Sequence, residues 1–283
     1  MKRINNYEEF KDALLESIKA AGFECTEHRQ LCVNKVKPGY VVGIENGKGG
    51  VILTEERIET LYNDFLQGRP LEDFIREVDG PHSEIFSDGI TKCTLNLMEV
   101  FEGDNWKKHV YLEVVNTKKN EELLRTVPHW EFLDLSVICR LYLTEDEGVT
   151  GTAIVKYDTL DFFGITEDEL FDIAKENIRE SKPYIVIEAG LFKGITNTMG
   201  LHGASAILFP EVLEEVADEL NCDLFVIPSS IDDIICVPAV SGVADDIRET
   251  ISIINSTEVP EEKVLSNSLY YFDRTTKQVS FAK

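Results

Sequence analysis

Apolar residues recur at helical spacing in several short stretches, separated by alternating or continuous apolar runs that read as strands. The first helix is predicted over 7–21. Phe10, Leu14 and Ile18 form its apolar stripe, Asn5 or Asn6 caps it, Glu8 and Glu9 suit its positive end, and Gly22 stops it. Residues 23–44 then read as extended with a turn at Pro38-Gly39, and Val51 to Leu53 as a short strand. A helix opening at Thr54 places Ile58, Leu61, Tyr62, Phe65 and Leu66 at i, i+3, i+4, i+7 and i+8. Leu71, Phe74, Ile75 and Val78 mark a third amphipathic segment, and residues 85–101 read as helix despite Gly89.

Past the polar, turn-rich residues 101–105 the pattern changes to short strands alternating with short helices. This divides the chain into a helix-rich region with short strands, 1–103, and an α+β region, 104–283. Strands are predicted over 109–115, 133–143, 152–157, 184–188, 206–209, 224–227, 234–237, 269–272 and 278–281. Thr166 and Glu169 form a capping box ahead of a helix with Leu170, Ile173, Ala174 and Ile178 inward. Pro210 opens another helix, and 243–254 a third with Ile247, Ile251 and Ile254 inward. The expected class is α+β, with a mixed, largely antiparallel sheet, flanking helices and an N-terminal helical subdomain.

A chain of 283 residues, 43% hydrophobic and 28% charged, is long enough to bury a core without disulfides or metals. Its net charge of −24 works against binding to nucleic acid or to an anionic membrane, both of which demand Lys and Arg. A basic protein partner, or mimicry of a nucleic-acid surface, fits the charge; ordinary solvation explains it most simply. The six cysteines are scattered, with no Cys-x-x-Cys, and several sit in apolar runs such as Val137-Ile138-Cys139, as reduced core thiols do. No N-terminal apolar leader is present, and no apolar stretch approaches the ~18 residues of a membrane span. The expected location is the cytoplasm.

Each candidate motif has a simpler structural explanation. Gly43 to Gly50 is glycine-rich like a phosphate loop, but it has one residue too few before Gly47-Lys48, and Gly49 stands where a hydroxyl is required. Asn46-Gly47 between extended runs signals a hairpin instead. Cys25, His28 and Cys32 lack a second ligand pair for a structural zinc, so neither a metal nor a cofactor is expected. His202, Ser229, Ser230 and Asp232 could supply a hydrolytic triad, but the nucleophile elbow is absent and Ser-Ser-Ile-Asp-Asp makes a turn on its own. The string Pro128 to Asp134 is both aromatic and polar. Exposed, His129 and Trp130 would bind a partner, with Asn197 a further candidate; buried, His129 and Asp134 would form a structural pair, the preferred reading.

Residues 123–137 (Leu-Leu-Arg-Thr-Val-Pro-His-Trp-Glu-Phe-Leu-Asp-Leu-Ser-Val), 203–210, 226–230 and 265–274 together resemble the signatures of the uncharacterised bacterial family catalogued as domain of unknown function 5688. The likeness covers nearly the whole chain and is strongest from about Val110 onward. A more distant likeness, to another uncharacterised bacterial group, lies in the Gly-Ile-Thr-Glu-Asp-Glu-Leu helix, its Ala-x-x-Asn and the later Ile-Pro-Ser strand. The resemblance implies a cytoplasmic bacterial protein and supplies no activity.

The expected function is therefore a non-catalytic interaction or regulatory protein whose partner is another protein. The alternative is an enzyme, possibly hydrolytic, with a site between the 197–203 loop and the 228–233 turn.

Overall fold

A computed structural model of the chain describes residues 4–44, 50–74, 100–146, 149–181, 183–190 and 192–283. The chain divides into two compact units. One is Met1–Cys32 with Val36–Leu95, the other Val33–Lys35 with Asn96–Lys283. Among the described residues no helix is long and apolar enough to cross a membrane.

The first unit holds helix α1 (Tyr7–Ala20), strands β1 (Phe23–Cys32), β2 (Lys35–Ile44) and β3 (Gly50–Thr54), and helix α2 (Glu55–Leu66). Asn6 caps α1 by accepting the Glu9 N–H at 2.9 Å, and the Glu9 carboxylate takes the Asn5 N–H at 2.8 Å. Phe10, Leu14 and Ile18 are buried against Ile58, Leu61 and Phe74. Full burial of such side chains stabilises by about 2 kcal/mol each, which sets this helix on its stripe. The turn expected at Pro38-Gly39 falls at Val33-Asn34 instead. Asn34 takes a left-handed φ of 59°, which Asn tolerates and most residues do not. Within the second unit its N–H donates to Asn120 Oδ1 at 2.7 Å. Pro38 stays in β2 just beyond the pairing with β3, which ends at Gly39 opposite Thr54, so its missing N–H breaks no bond to that strand. Gly43 lies opposite Gly50. Residues 45–49 themselves, the later part of the third amphipathic segment and most of the 85–101 helix lie outside the described residues.

The second unit contains β4 (Val110–Asn116), α3 (Glu121–Leu124), β5 (Trp130–Phe132), β6 (Leu135–Asp146), β7 (Val149–Ile154), α4 (Tyr157–Phe163), α5 (Glu167–Ser181), β8 (Tyr184–Ala189) and β9 (Phe192–Asn197). After a 3-10 segment over Gly203–Leu208 follow α6 (Pro210–Leu220), β10 (Leu224–Ile227), β11 (Ile234–Pro238), α7 (Ala244–Thr257), β12 (Tyr270–Asp273) and β13 (Gln278–Phe281). The long β6 pairs with β4 on one side and with β5 and then β7 on the other. The remaining strands form one six-stranded sheet in the order β13-β12-β10-β11-β9-β8, antiparallel throughout. The chain is α+β and largely antiparallel as the pattern implies, with its strands shared among three sheets.

Helix α5 starts at the capping box. Thr166 N–H donates to Glu169 Oε2 at 2.8 Å, and Glu169 N–H returns to Thr166 Oγ1 at 3.3 Å. Thr166→Ala is expected to cost about 1 kcal/mol in urea unfolding of the full chain. Asn177 then fastens α5 near the start of β4, donating from Nδ2 to the carbonyls of Lys107 and Val110 at 2.6 and 2.8 Å.

Three local expectations change. Residues 206–209 are not a strand: Gly203, Ala204 and Ala206 are fully interior, and such small residues let a tight 3-10 turn pack where a strand would not. Tyr157 opens α4 rather than ending β7. Ile254 faces outward, at 45% exposure, because α7 packs through Ile247 and Ile251. Strands β5 and β9 were not legible in the pattern.

Candidate functional site

In β4 the run Val110 to Val115 is apolar except for Tyr111 and Glu113, and Glu113 is wholly buried. The register sets Tyr111 opposite Arg140 of β6, so Glu113 lies diagonally across from Arg140 on the same sheet face. Arg140 Nε donates to Glu113 Oε2 at 2.6 Å and its Nη1 to Thr152 Oγ1 of β7 at 3.0 Å. On the far side of the carboxylate, His202 Nδ1 stands 3.0 Å from Glu113 Oε1. That approach is not aligned as a hydrogen bond, and neither atom has another partner. Burial opposes the Glu113 anion, but Arg140 and His202 outweigh it and hold the carboxyl down at about 2.

The loop carrying His202 is held from several directions. Asn197 Oδ1 accepts the N–H groups of Met199 and Leu201, and Asn197 Nδ2 donates to the Leu201 carbonyl at 2.6 Å. Tyr142 donates its hydroxyl to the same carbonyl at 3.3 Å. His202 has a left-handed φ of 58°, and its N–H donates to Asp232 Oδ1 at 3.0 Å. Asp232 Oδ2 accepts from Lys263 Nζ at 2.7 Å. Gly203 follows with no room to spare: a Cβ there would lie 2.6 Å from the Asp232 carbonyl, 2.7 Å from Asn197 N and 2.7 Å from Thr196 Oγ1.

His202, Ser230 and Asp232 thus come together, but not as a relay. The imidazole faces Glu113, whereas Ser230 Oγ donates to Asp233 Oδ1 and accepts the Asp232 N–H. Ser229 bonds through its N–H to the Ile227 carbonyl. These bonds make the 228–233 segment a turn held by its own short side chains.

The 128–134 string also separates. His129 and Asp134 do not pair. His129 Nδ1 lies 3.1 Å from the Val127 carbonyl. Asp134 instead accepts three hydroxyls, from Ser266 at 2.5 Å, Ser268 at 2.9 Å and Tyr270 at 2.6 Å. The stretches 123–137 and 265–274 are therefore joined by one carboxylate. Burial and that carboxylate push the Tyr270 phenol far above its usual value. His129 and Trp130 line a cleft of about 360 Å³ with Glu167, Asp168, Phe171, Asp172 and Lys175 of α5. The Trp130 indole N–H is buried without a partner.

A family model described as a family of unknown function, DUF5688, matches residues 7–190 and 194–274. The chain belongs to the DUF5688 family. No curated protein and no solved structure matches it. In this DUF5688 chain the resemblance on residues 123–137 and 265–274 acquires a physical basis, since Asp134 and its three hydroxyl donors lie in those two stretches.

Reasoning from sequence missed Glu113 and Arg140. The signal was present: each is a lone charge inside an apolar strand run, and such a residue is affordable inside only when paired. What the sequence withheld was the partner of each.

Proposed function

We propose that this chain is a non-catalytic interaction or regulatory protein of the bacterial cytoplasm, and that it engages another protein through the cleft between β5 and α5. The observation that carries this reading is the cleft itself. An indole and a phenyl ring form an apolar wall, and Glu167, Asp168 and Asp172 beside it outnumber the one lysine of the lining, Lys175, which stands 3.8 Å from Asp172. Aromatic walls beside carboxylates suit the amphipathic, cationic side chains of a protein partner. The overall charge of −24 favours a basic partner for the same reason. The five described cysteines are free thiols, as suits a reducing compartment.

The alternative is an enzyme. The best observation for it is the Glu113–His202 approach, because a buried carboxylate can orient an imidazole as a base. Against it, the hydroxyl of Ser230 and the carboxylate of Asp232 are engaged in turn and loop bonds.

The test is affinity capture from native lysate at low salt, with the wild-type chain beside Trp130→Ala and Asp168→Lys. A partner retained by the wild type should fall by about tenfold with either variant, as loss of an interface anchor does. Equal capture by all three chains, or none by the wild type, overturns the reading.

A further inference from the structure

A second surface, separate from the β5–α5 cleft, has the geometry of an unfinished sheet. Among the described residues β8 ends the six-stranded sheet, with β9 on one side and no strand on the other. In antiparallel pairing alternate residues of such a strand turn their N–H and C=O groups away from the sheet, where only water or another strand can meet them.

The two faces of β8 are prepared differently. Ile185 and Ile187 point to one face and are 43% and 52% exposed; Phe192 at the start of β9 is 55% exposed. Helix α7 packs on this face over Phe225, Ile227, Ile235 and Val237 of β10 and β11. On the other face Tyr184 and Val186 form the floor of a groove of about 450 Å³, walled by Phe209 and Val212. Ile178 and Arg179 of α5 also line it, Arg179 with Glu176 3.9 Å away, and Glu211 and Glu215 of α6 stand on its rim, so carboxylates outnumber the one cation among the lining residues.

We infer that β8 is completed in trans by an extended segment of a partner protein, in which basic residues alternate with apolar ones. An added strand sends successive side chains to opposite faces. On the groove side a Lys or Arg stem would lie on Phe209 and Val212 and carry its charge to Glu211 and Glu215. On the other side an apolar residue would cover Ile185 and Ile187. A second copy of this chain is the poorer occupant: its own β8 carries Glu188 and no cation, and each copy brings a net charge of −24. This inference rests on the reading of the chain as an interaction protein, and it concerns a different surface from the Trp130 cleft.

The probe is a fluorescent, acetylated octapeptide of alternating lysine and valine, titrated against the full chain at physiological salt. Its control is the same peptide N-methylated at two consecutive residues. The control keeps every charge and side chain but loses a donor on both edges, so general attraction to an acidic protein retains it while strand addition does not. The parent peptide should bind about tenfold more tightly than the methylated one, and should slow amide exchange in β8. The variant Glu211→Lys/Glu215→Lys should weaken the parent peptide by about tenfold and leave the fold intact, since both residues stand on the exposed rim. Equal affinity for the two peptides, no saturable binding, or protection confined to other strands overturns the inference. If capture through Trp130 succeeds while the peptide fails, strand addition is wrong and the interaction reading stands. If the peptide binds as expected while the Trp130 variant captures as the wild type does, the β5–α5 cleft is wrong and β8 is the docking surface.

Discussion

Glu113→Gln is expected to destabilise the second unit by about 3–5 kcal/mol, because it leaves the Arg140 guanidinium buried against a neutral amide. Both tryptophans, Trp106 and Trp130, lie in that unit, so tryptophan fluorescence during urea unfolding follows it specifically. The double variant Glu113→Leu/Arg140→Met should recover much of the loss, since a buried ion pair replaced by apolar residues of like volume is often neutral. A double variant no better than Glu113→Gln alone would show that the charge pair is not what the single change removes.

The same carboxylate fixes a pH dependence. Its folded value of about 2 lies below its ordinary 4.5. A carboxyl depressed by folding adds stability that is fully present above the unfolded value and is lost as pH falls through the folded one. The window is therefore pH 4.5 down to 2. Over it the wild-type chain should lose about 3 kcal/mol through this group. Other carboxylates titrate in the same range, so the informative quantity is the gap between wild type and Glu113→Gln. It should narrow steadily across the window, and a constant gap would refute the assignment.

Gly203→Ala is expected to cost about 3 kcal/mol, or to displace the 203–208 segment outright. The added Cβ would meet the Asp232 carbonyl and the Asn197 amide nitrogen, both backbone atoms that cannot swing aside. Gly200→Ala is the control. Its φ is 64°, so it carries the left-handed penalty, but nothing lies within 4 Å of its Cβ. It should cost only about 1 kcal/mol. Similar losses at both positions would mean that crowding at Gly203 is relieved locally.

Local signals were read correctly where their causes are local. The stripe of α1, the capping box of Thr166 and Glu169, and the hairpin of β12 and β13 each depend on residues within a few positions of one another. The expected inward Ile254 failed because a 14-residue helix with four isoleucines can turn more than one stripe to the sheet. Only the packed surface of β10 and β11 selects Ile247 and Ile251.

The polar residues divide in the same way. Sequence alone offered His202, Ser229, Ser230 and Asp232 only as candidates, of which Ser230 and Asp232 bond within one turn. It could not aim the imidazole. His202 faces Glu113, 89 positions earlier in the chain, because β4, β6 and the 3-10 segment happen to meet there. Nor could it separate His129 from Asp134, whose three hydroxyl donors come from residues 266–270.

What the sequence by itself determined is the α+β class, the main helices, the acidic character and the family resemblance, all of which rest on periodicity, composition and contiguous strings. Tertiary structure alone decided which polar groups meet: Glu113 with Arg140 and His202, Asp134 with Ser266, Ser268 and Tyr270, and the aromatic wall of Trp130 with the carboxylates of α5. The reason is physical. A buried charge constrains only that some partner be near, and many distant residues satisfy that condition until the strands are in register.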